Sequence, residues 1–149
     1  VEPVIAQFSA PAHRCEKVAV VSDVIYLNDS KSTNLHSLES ALNGQEAPVI
    51  LIAGGKEKGL DFASLAGTAA RSVKYAILFG ENANRVSDAW SGSLPCAVVD
   101  DLEAAVAIAA NEATEGDVVL FSPGTSSFDQ YTGYEARGDA FRRHVLSLT

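Results

Sequence analysis

The sequence predicts an α/β fold: a Rossmann-like, three-layer domain whose mostly parallel sheet of about six strands carries an antiparallel edge hairpin. Three observations carry this reading. Short β-branched or apolar runs recur at residues 18–21, 24–26, 48–53, 75–79, 96–99 and 118–121. From residue 28 onward, stretches with helical apolar spacing separate one run from the next, the alternation that builds βαβ units. The run at 48–53 is apolar without interruption, as expected of a strand buried on both faces of a parallel sheet.

The elements follow in order. Residues 17–27 hold two β-branched runs parted by Ser22-Asp23, which reads as a hairpin or as one strand bent at a turn. Leu35, Leu38 and Leu42 form the stripe of an amphipathic helix, with Thr33 or Asn34 as its cap. The run at 48–53 closes on Gly54-Gly55. Asp61 is expected to cap a helix bearing Phe62, Leu65 and Ala69, and the strand at 75–79 ends at Gly80. A short helix over 82–90 leads to the strand at 96–99. Asp100, with Glu103 three residues later, resembles a capping pair for the helix carrying Leu102, Val106 and Ala109. A strand at 118–121 and a helix over 135–148 complete the chain, with no internal repeat or linker.

Composition bounds the function. A chain of 149 residues fits one domain, 1–149, and a domain of this size buries roughly 68–70% of the surface its unfolded chain exposes. The net charge of −8 argues against sequence-independent nucleic-acid binding, which needs clustered Lys and Arg. No apolar run reaches the length of a membrane span, and no signal-peptide pattern opens the chain, so a cytoplasmic location is the default. Cys15 and Cys96 have no metal-binding or redox spacing and read as buried apolar residues. The chain begins at Val1 and contains no Met, which points to a trimmed product or a piece of a longer protein. GxxxxGK[ST], GxGxxG and GxSxG are all absent. The expectation is a ligand-contributing domain, not a complete catalyst.

Ligands of open α/β sheets sit beyond the carboxyl ends of the strands. Three polar clusters fall there: Asn28-Asp29-Ser30-Lys31-Ser32-Thr33-Asn34, Gly54-Gly55-Lys56-Glu57-Lys58-Gly59, and residues 122–131. His13-Arg14 reaches the same edge only if the hairpin folds it back. The first string packs two carboxamides, a carboxylate, an ammonium and three hydroxyls into seven residues at a strand-to-helix junction; a polar turn explains it through local hydrogen bonds, and an anion or nucleotide site explains it through ligand contacts. In the diglycine loop, a tight turn with solvated lysines stands beside a site where a ligand approaches the backbone and a lysine neutralises it. Residues 122–127 read either as an ordinary hydroxyl-rich loop or as a carboxylate-binding one. Asp129 reads as a cap, and His36 and His144 as helix-surface residues.

His13-Arg14, the Asn28 to Asn34 string, Gly54-Gly55-x-x-Lys58, Ser122-Pro123-x-x-x-Ser127-x-Asp129-x-Tyr131 and Arg137-Gly138-x-x-Phe141 resemble, in order and spacing, the carboxy-terminal domain of Mur ligases, over about residues 11–146. The Asn-Asp-Ser-Lys-x-Thr-Asn string is the specific part and resembles the D-glutamate-adding branch. Gly124-Thr125-Ser126 and Tyr134 depart from it, standing where many members have Ala-Cys-Ala and Phe.

The resemblance implies one third of a three-domain, ATP- and Mg-dependent ligase of peptidoglycan precursor synthesis, with the UDP-substrate and central ATPase domains outside this chain. Its partners would be D-glutamate, ATP and UDP-N-acetylmuramoyl-L-alanine, joined through an acyl phosphate, in a monomeric enzyme; magnesium would be held chiefly by the central domain, and this chain alone would be inactive. Carried over by position, Arg14 would face the ATP phosphates and Asp29 the ribose. Lys31 would act where phosphate meets the incoming substrate, and Thr33, Lys58, Ser127 and the backbone near Tyr134 would hold the D-glutamate carboxylates. Lys56 offers a second ammonium beside Lys58, whose spacing from the diglycine fits. A related Mur or folylpolyglutamate-type ligase with another amino acid, and a free-standing module binding an acidic metabolite or nucleotide, are the alternatives.

Overall fold

The computed structural model describes residues 12–128 and 130–148; Asp129, expected as a cap, lies outside the described residues. Strands β1 (Glu16–Val21) and β2 (Val24–Asn28) pair antiparallel, Glu16 opposite Asn28 and Val21 opposite Val24. Ser22 and Asp23 both take positive φ, 53° and 63°, the two-residue connection whose twist suits a hairpin. The 17–27 segment is therefore a hairpin and not a bent strand.

The remaining strands, β3 (Val49–Ala53), β4 (Val73–Leu78), β5 (Cys96–Val98) and β6 (Val118–Phe121), complete a six-stranded sheet ordered β1-β2-β6-β3-β4-β5. Every pairing from β2 to β5 is parallel. Helices α1 (Leu35–Asn43), α2 (Ala66–Ser72), α3 (Ala83–Trp90), α4 (Leu102–Glu112) and α5 (Tyr134–Leu146) connect them. Strand alternation divides the core in two: Val49, Leu51 and Leu120 pack with Leu38 and Leu42 of α1 and Val86 and Trp90 of α3, while Ile50, Ile52, Val119 and Phe121 pack with Leu102 and Val106 of α4 and Phe141 of α5. Helices thus cover both faces, giving the expected three layers. β6 is inserted between β2 and β3, and the chain leaves it toward the opposite layer from the chain leaving either neighbour. Diverging connections of this kind open a crevice at the carboxyl edge.

Two caps differ from expectation. Asp61 makes no side-chain cap bond, because the chain enters through a 3-10 turn (Phe62–Leu65) before α2. Its carbonyl accepts from the Ser64 backbone N–H and hydroxyl instead, at 3.1 and 2.7 Å, and the buried Trp90 indole fixes the turn by donating to the Phe62 carbonyl at 2.7 Å. Asp101, and not Asp100, caps α4: its extended backbone lets the carboxylate accept from Ala104 N at 2.9 Å, whereas Asp100 lies one residue too early. Asn34 caps α1, accepting from Ser37 N at 2.9 Å. No helix among the described residues is long and apolar enough to cross a membrane.

Candidate functional site

Because β1 runs antiparallel to β2, the residues entering β1 lie beside the residues leaving β2. His13 and Cys15 turn the chain with φ of 65° and 46°, and the Lys31 N–H donates to the His13 carbonyl at 2.9 Å. The hairpin does bring His13-Arg14 to the carboxyl edge. Asn28, fully buried, holds the junction: its amide nitrogen lies 3.0 Å from His13 Nδ1 and 3.2 Å from Glu16 Oε1, and its oxygen accepts from Ser30 N at 3.1 Å. The ring also needs Gly138, where a Cβ would stand 2.1 Å from His13 Nδ1.

Asp29 accepts from Cys15 N through one carboxylate oxygen at 3.1 Å and from the Ser122 hydroxyl through the other at 2.7 Å. Burial pushes its pKa above the ordinary carboxylate value, opposed by the Ser122 and Cys15 hydrogen bonds and by the Arg14 charge. The Cys15 thiol is pushed up to about 12, first by its own burial and then by the Asp29 charge and hydrogen bond. It stays a thiol at neutral pH. Both cysteines are free and only half-buried, which corrects the expectation that they are buried.

The three predicted clusters do share this edge, tied together by backbone. Gly124 N donates to Ser32 O at 3.0 Å, Gly54 N to Pro123 O at 3.0 Å, and Lys56 N to Ser126 O at 2.9 Å; the Thr125 hydroxyl returns a bond to Lys56 O at 2.8 Å. Arg137 of α5 is buried beneath them, its guanidinium donating to Ser30 Oγ at 3.1 Å, Ser30 O at 2.7 Å and Thr125 O at 3.0 Å. The diglycine serves this closure. A Cβ at Gly54 would lie 2.1 Å from the Phe79 carbonyl, and one at Gly55 2.6 Å from the Ser126 carbonyl, so the glycines make room for neighbouring loops.

Above the loops lies an open groove of about 430 Å³ lined by Arg14, Asp29, Lys31, Ser32 and Thr33, with the first turns of α1 as one wall. The Ser32 hydroxyl is buried without a hydrogen-bond partner among the described residues, the condition of a donor awaiting an acceptor. A buried carboxylate, two cations and a capped helix amino terminus suit a ligand with hydroxyls and anionic oxygens. Tyr134 begins α5; its carbonyl accepts from Ser30 Oγ at 2.7 Å, and the Lys31 ammonium lies 5.6 Å from its ring centre. Ser127 is buried in the β6 loop. Lys58 is exposed on the diglycine loop and does not line the groove. His36 is exposed on α1 but borders the groove. No three His, Cys, Asp or Glu side chains converge among the described residues, so this donor set does not fit a metal site.

Sequence reasoning gave no role to Asn28, Ser32, Asn82 or Arg137. Asn82 accepts from Gly55 N at 3.0 Å and so fixes the diglycine. Asn28 and Ser32 lay within the polar string that the sequence singled out, and Arg137 within the Arg137-Gly138 motif of the resemblance, but neither signal assigned these side chains a contact; Asn82, at the entry to a helix, gave no signal.

The family described as "Mur ligase, glutamate ligase domain" matches residues 13–125. The UDP-N-acetylmuramoylalanine–D-glutamate ligase of Chlamydia caviae is 45% identical over 93% of this chain and 33% of its own length; that of Salinibacter ruber is 41% identical over 97% and 32%. The chain thus spans about a third of the curated relatives it matches. Among solved structures, the UDP-N-acetylmuramate–alanine ligase MurC of Thermotoga maritima superposes with a TM-score of 0.65 at 12% identity, over 96% of this chain and 32% of that one. The folylpolyglutamate synthase of the same organism superposes with a TM-score of 0.62 at 16% identity, over the same shares. Those two likenesses establish fold alone. Taken with the family match and the relatives above 40% identity, the zipped loops and their groove place the chain in the Mur ligase family, as its glutamate ligase domain.

Proposed function

We propose that the chain is the carboxy-terminal third of an ATP-dependent ligase that adds D-glutamate to UDP-N-acetylmuramoyl-L-alanine. The observation that carries this is the convergence of Arg14, Asp29, Lys31 and Thr33 on one groove at the switch in sheet direction, in a chain whose curated relatives carry that activity in their names. ATP would transfer its γ-phosphoryl group to the substrate carboxylate and leave as ADP, and the amino group of D-glutamate would attack the acyl carbonyl, forming the amide and expelling phosphate.

The residues of this chain bind and orient. Asp29, held by Ser122 and Cys15, retains lone pairs for ribose hydroxyls. Arg14 faces the phosphates, and Lys31, stacked toward Tyr134, carries positive charge to the point where phosphate and amino acid meet. Thr33, Lys58, Ser127 and the Tyr134 backbone hold the two D-glutamate carboxylates, for which ammonium, hydroxyl and amide donors are the matching chemistry. Holding the amine against the activated carbonyl supplies the rate. The UDP-substrate and ATPase domains, and the magnesium ligands, would belong to the rest of the protein.

The full-length enzyme, offered a panel of L- and D-amino acids with ATP and UDP-N-acetylmuramoyl-L-alanine, is expected to form the amide product with D-glutamate in clear preference. Preference for another amino acid overturns the specificity. The 149-residue chain by itself is expected to release no ADP from ATP, and turnover by it would refute the reading of a ligand-contributing domain that is not a complete catalyst.

A further inference from the structure

Lys58 sits on a loop that is otherwise unusually well held. Glu57, the residue before it, takes two bonds from Arg85 of α3, Nε at 2.7 Å and Nη2 at 3.0 Å, the bidentate fork. The same carboxylate accepts from Gly59 N at 2.8 Å, closing a small ring across Lys58. Arg85 also donates to the carbonyl of Leu60. On the other flank, Glu57 N donates to Glu81 Oε1 at 2.8 Å and Lys56 N to Ser126 O. The backbone is therefore fixed on both sides of Lys58, while the Lys58 side chain is exposed and no ion pair among the described residues engages it. Lys56, by contrast, is paired with Glu81 at 3.5 Å. One lysine of the loop has a carboxylate beside it, and the other has no ion-pair partner among the described residues.

We infer that Glu57 and Arg85 are positioning residues: their ion pair clasps the loop so that Lys58, and not Lys56, is the ammonium delivered to the acidic amino-acid substrate. The inference rests on the role proposed above for Lys58. An exposed pair of this kind contributes little to global stability. Its effect is local, removing the conformational freedom that a flexible lysine on a flexible loop would lose on binding.

The test is steady-state kinetics of the full-length enzyme carrying Glu57→Ala, Arg85→Ala, Lys58→Ala and the Glu57→Ala/Lys58→Ala double variant, with the D-glutamate concentration varied at saturating ATP. Glu57→Ala and Arg85→Ala are each expected to raise KM for D-glutamate about fivefold to tenfold with kcat within about twofold. In the Lys58→Ala background, Glu57→Ala should add less than about twofold, because it acts through Lys58. An equal KM increase with and without Lys58, or a fall in kcat at unchanged KM, overturns the positioning role. If Lys58→Ala leaves KM for D-glutamate unaltered, the substrate role of Lys58 fails first, and the clasp's purpose with it.

Discussion

Asp29 shows at the scale of one residue how stability yields to binding. Its folded pKa is raised above the ordinary carboxylate value of 3.8 because burial outweighs the Ser122 and Cys15 hydrogen bonds and the Arg14 charge. A raised pKa means the folded state holds the proton more tightly than the unfolded one. The associated stability is present below 3.8 and is lost as pH climbs through the folded value. Asp29→Asn keeps an acceptor for Cys15 N and can donate to the Ser122 hydroxyl. Urea unfolding of wild type and Asp29→Asn between acid and neutral pH should therefore show the wild-type stability falling relative to the variant as pH rises, and parallel curves would contradict the account. A residue that ionises at a cost in folding is a candidate for work in the ligand-bound state.

Helices and strands were legible because their signals are local and repeated. The apolar runs became β1 to β6, and the Leu35, Leu38, Leu42 stripe became the buried face of α1. The misread details were single-residue choices settled by backbone geometry: Asp101 over Asp100, and a 3-10 entry at Phe62 where the sequence suggested a cap at Asp61. Asp101→Ala is expected to cost about 1 kcal/mol in urea unfolding and Asp100→Ala almost nothing; equal losses would return the cap to Asp100. The glycines show the same limit. Gly54-Gly55 announced a special turn, but only the positions of the Phe79 and Ser126 carbonyls reveal how closely neighbouring protein approaches the glycines.

In the molecule as a whole, the site exists because β6 is inserted between β2 and β3, strands adjacent in sequence but not in the sheet. That insertion brings residues 122–127 between the Asn28 string and the diglycine loop, a juxtaposition no local pattern contains. The rule that ligands of open sheets lie beyond the carboxyl ends of the strands put all three clusters on one edge, but their order along it was not legible. Arg137 then ties the assembly from below, and its burial is legible only once the loops above it are placed. Arg137→Ala leaves the carbonyls of Ser30 and Thr125 short of a donor in a buried setting, so a loss of about 3 kcal/mol or more in urea unfolding is expected, and a loss under about 1 kcal/mol would show that the loops hold each other without it.

The central claim, that this edge is where D-glutamate is held beside the nucleotide, is tested most directly by the KM for D-glutamate and for ATP in the full-length enzyme carrying Thr33→Ala or Ser127→Ala. The KM for D-glutamate is expected to rise about tenfold or more in each variant, with the KM for ATP within about twofold. An unchanged D-glutamate KM in both would contradict it.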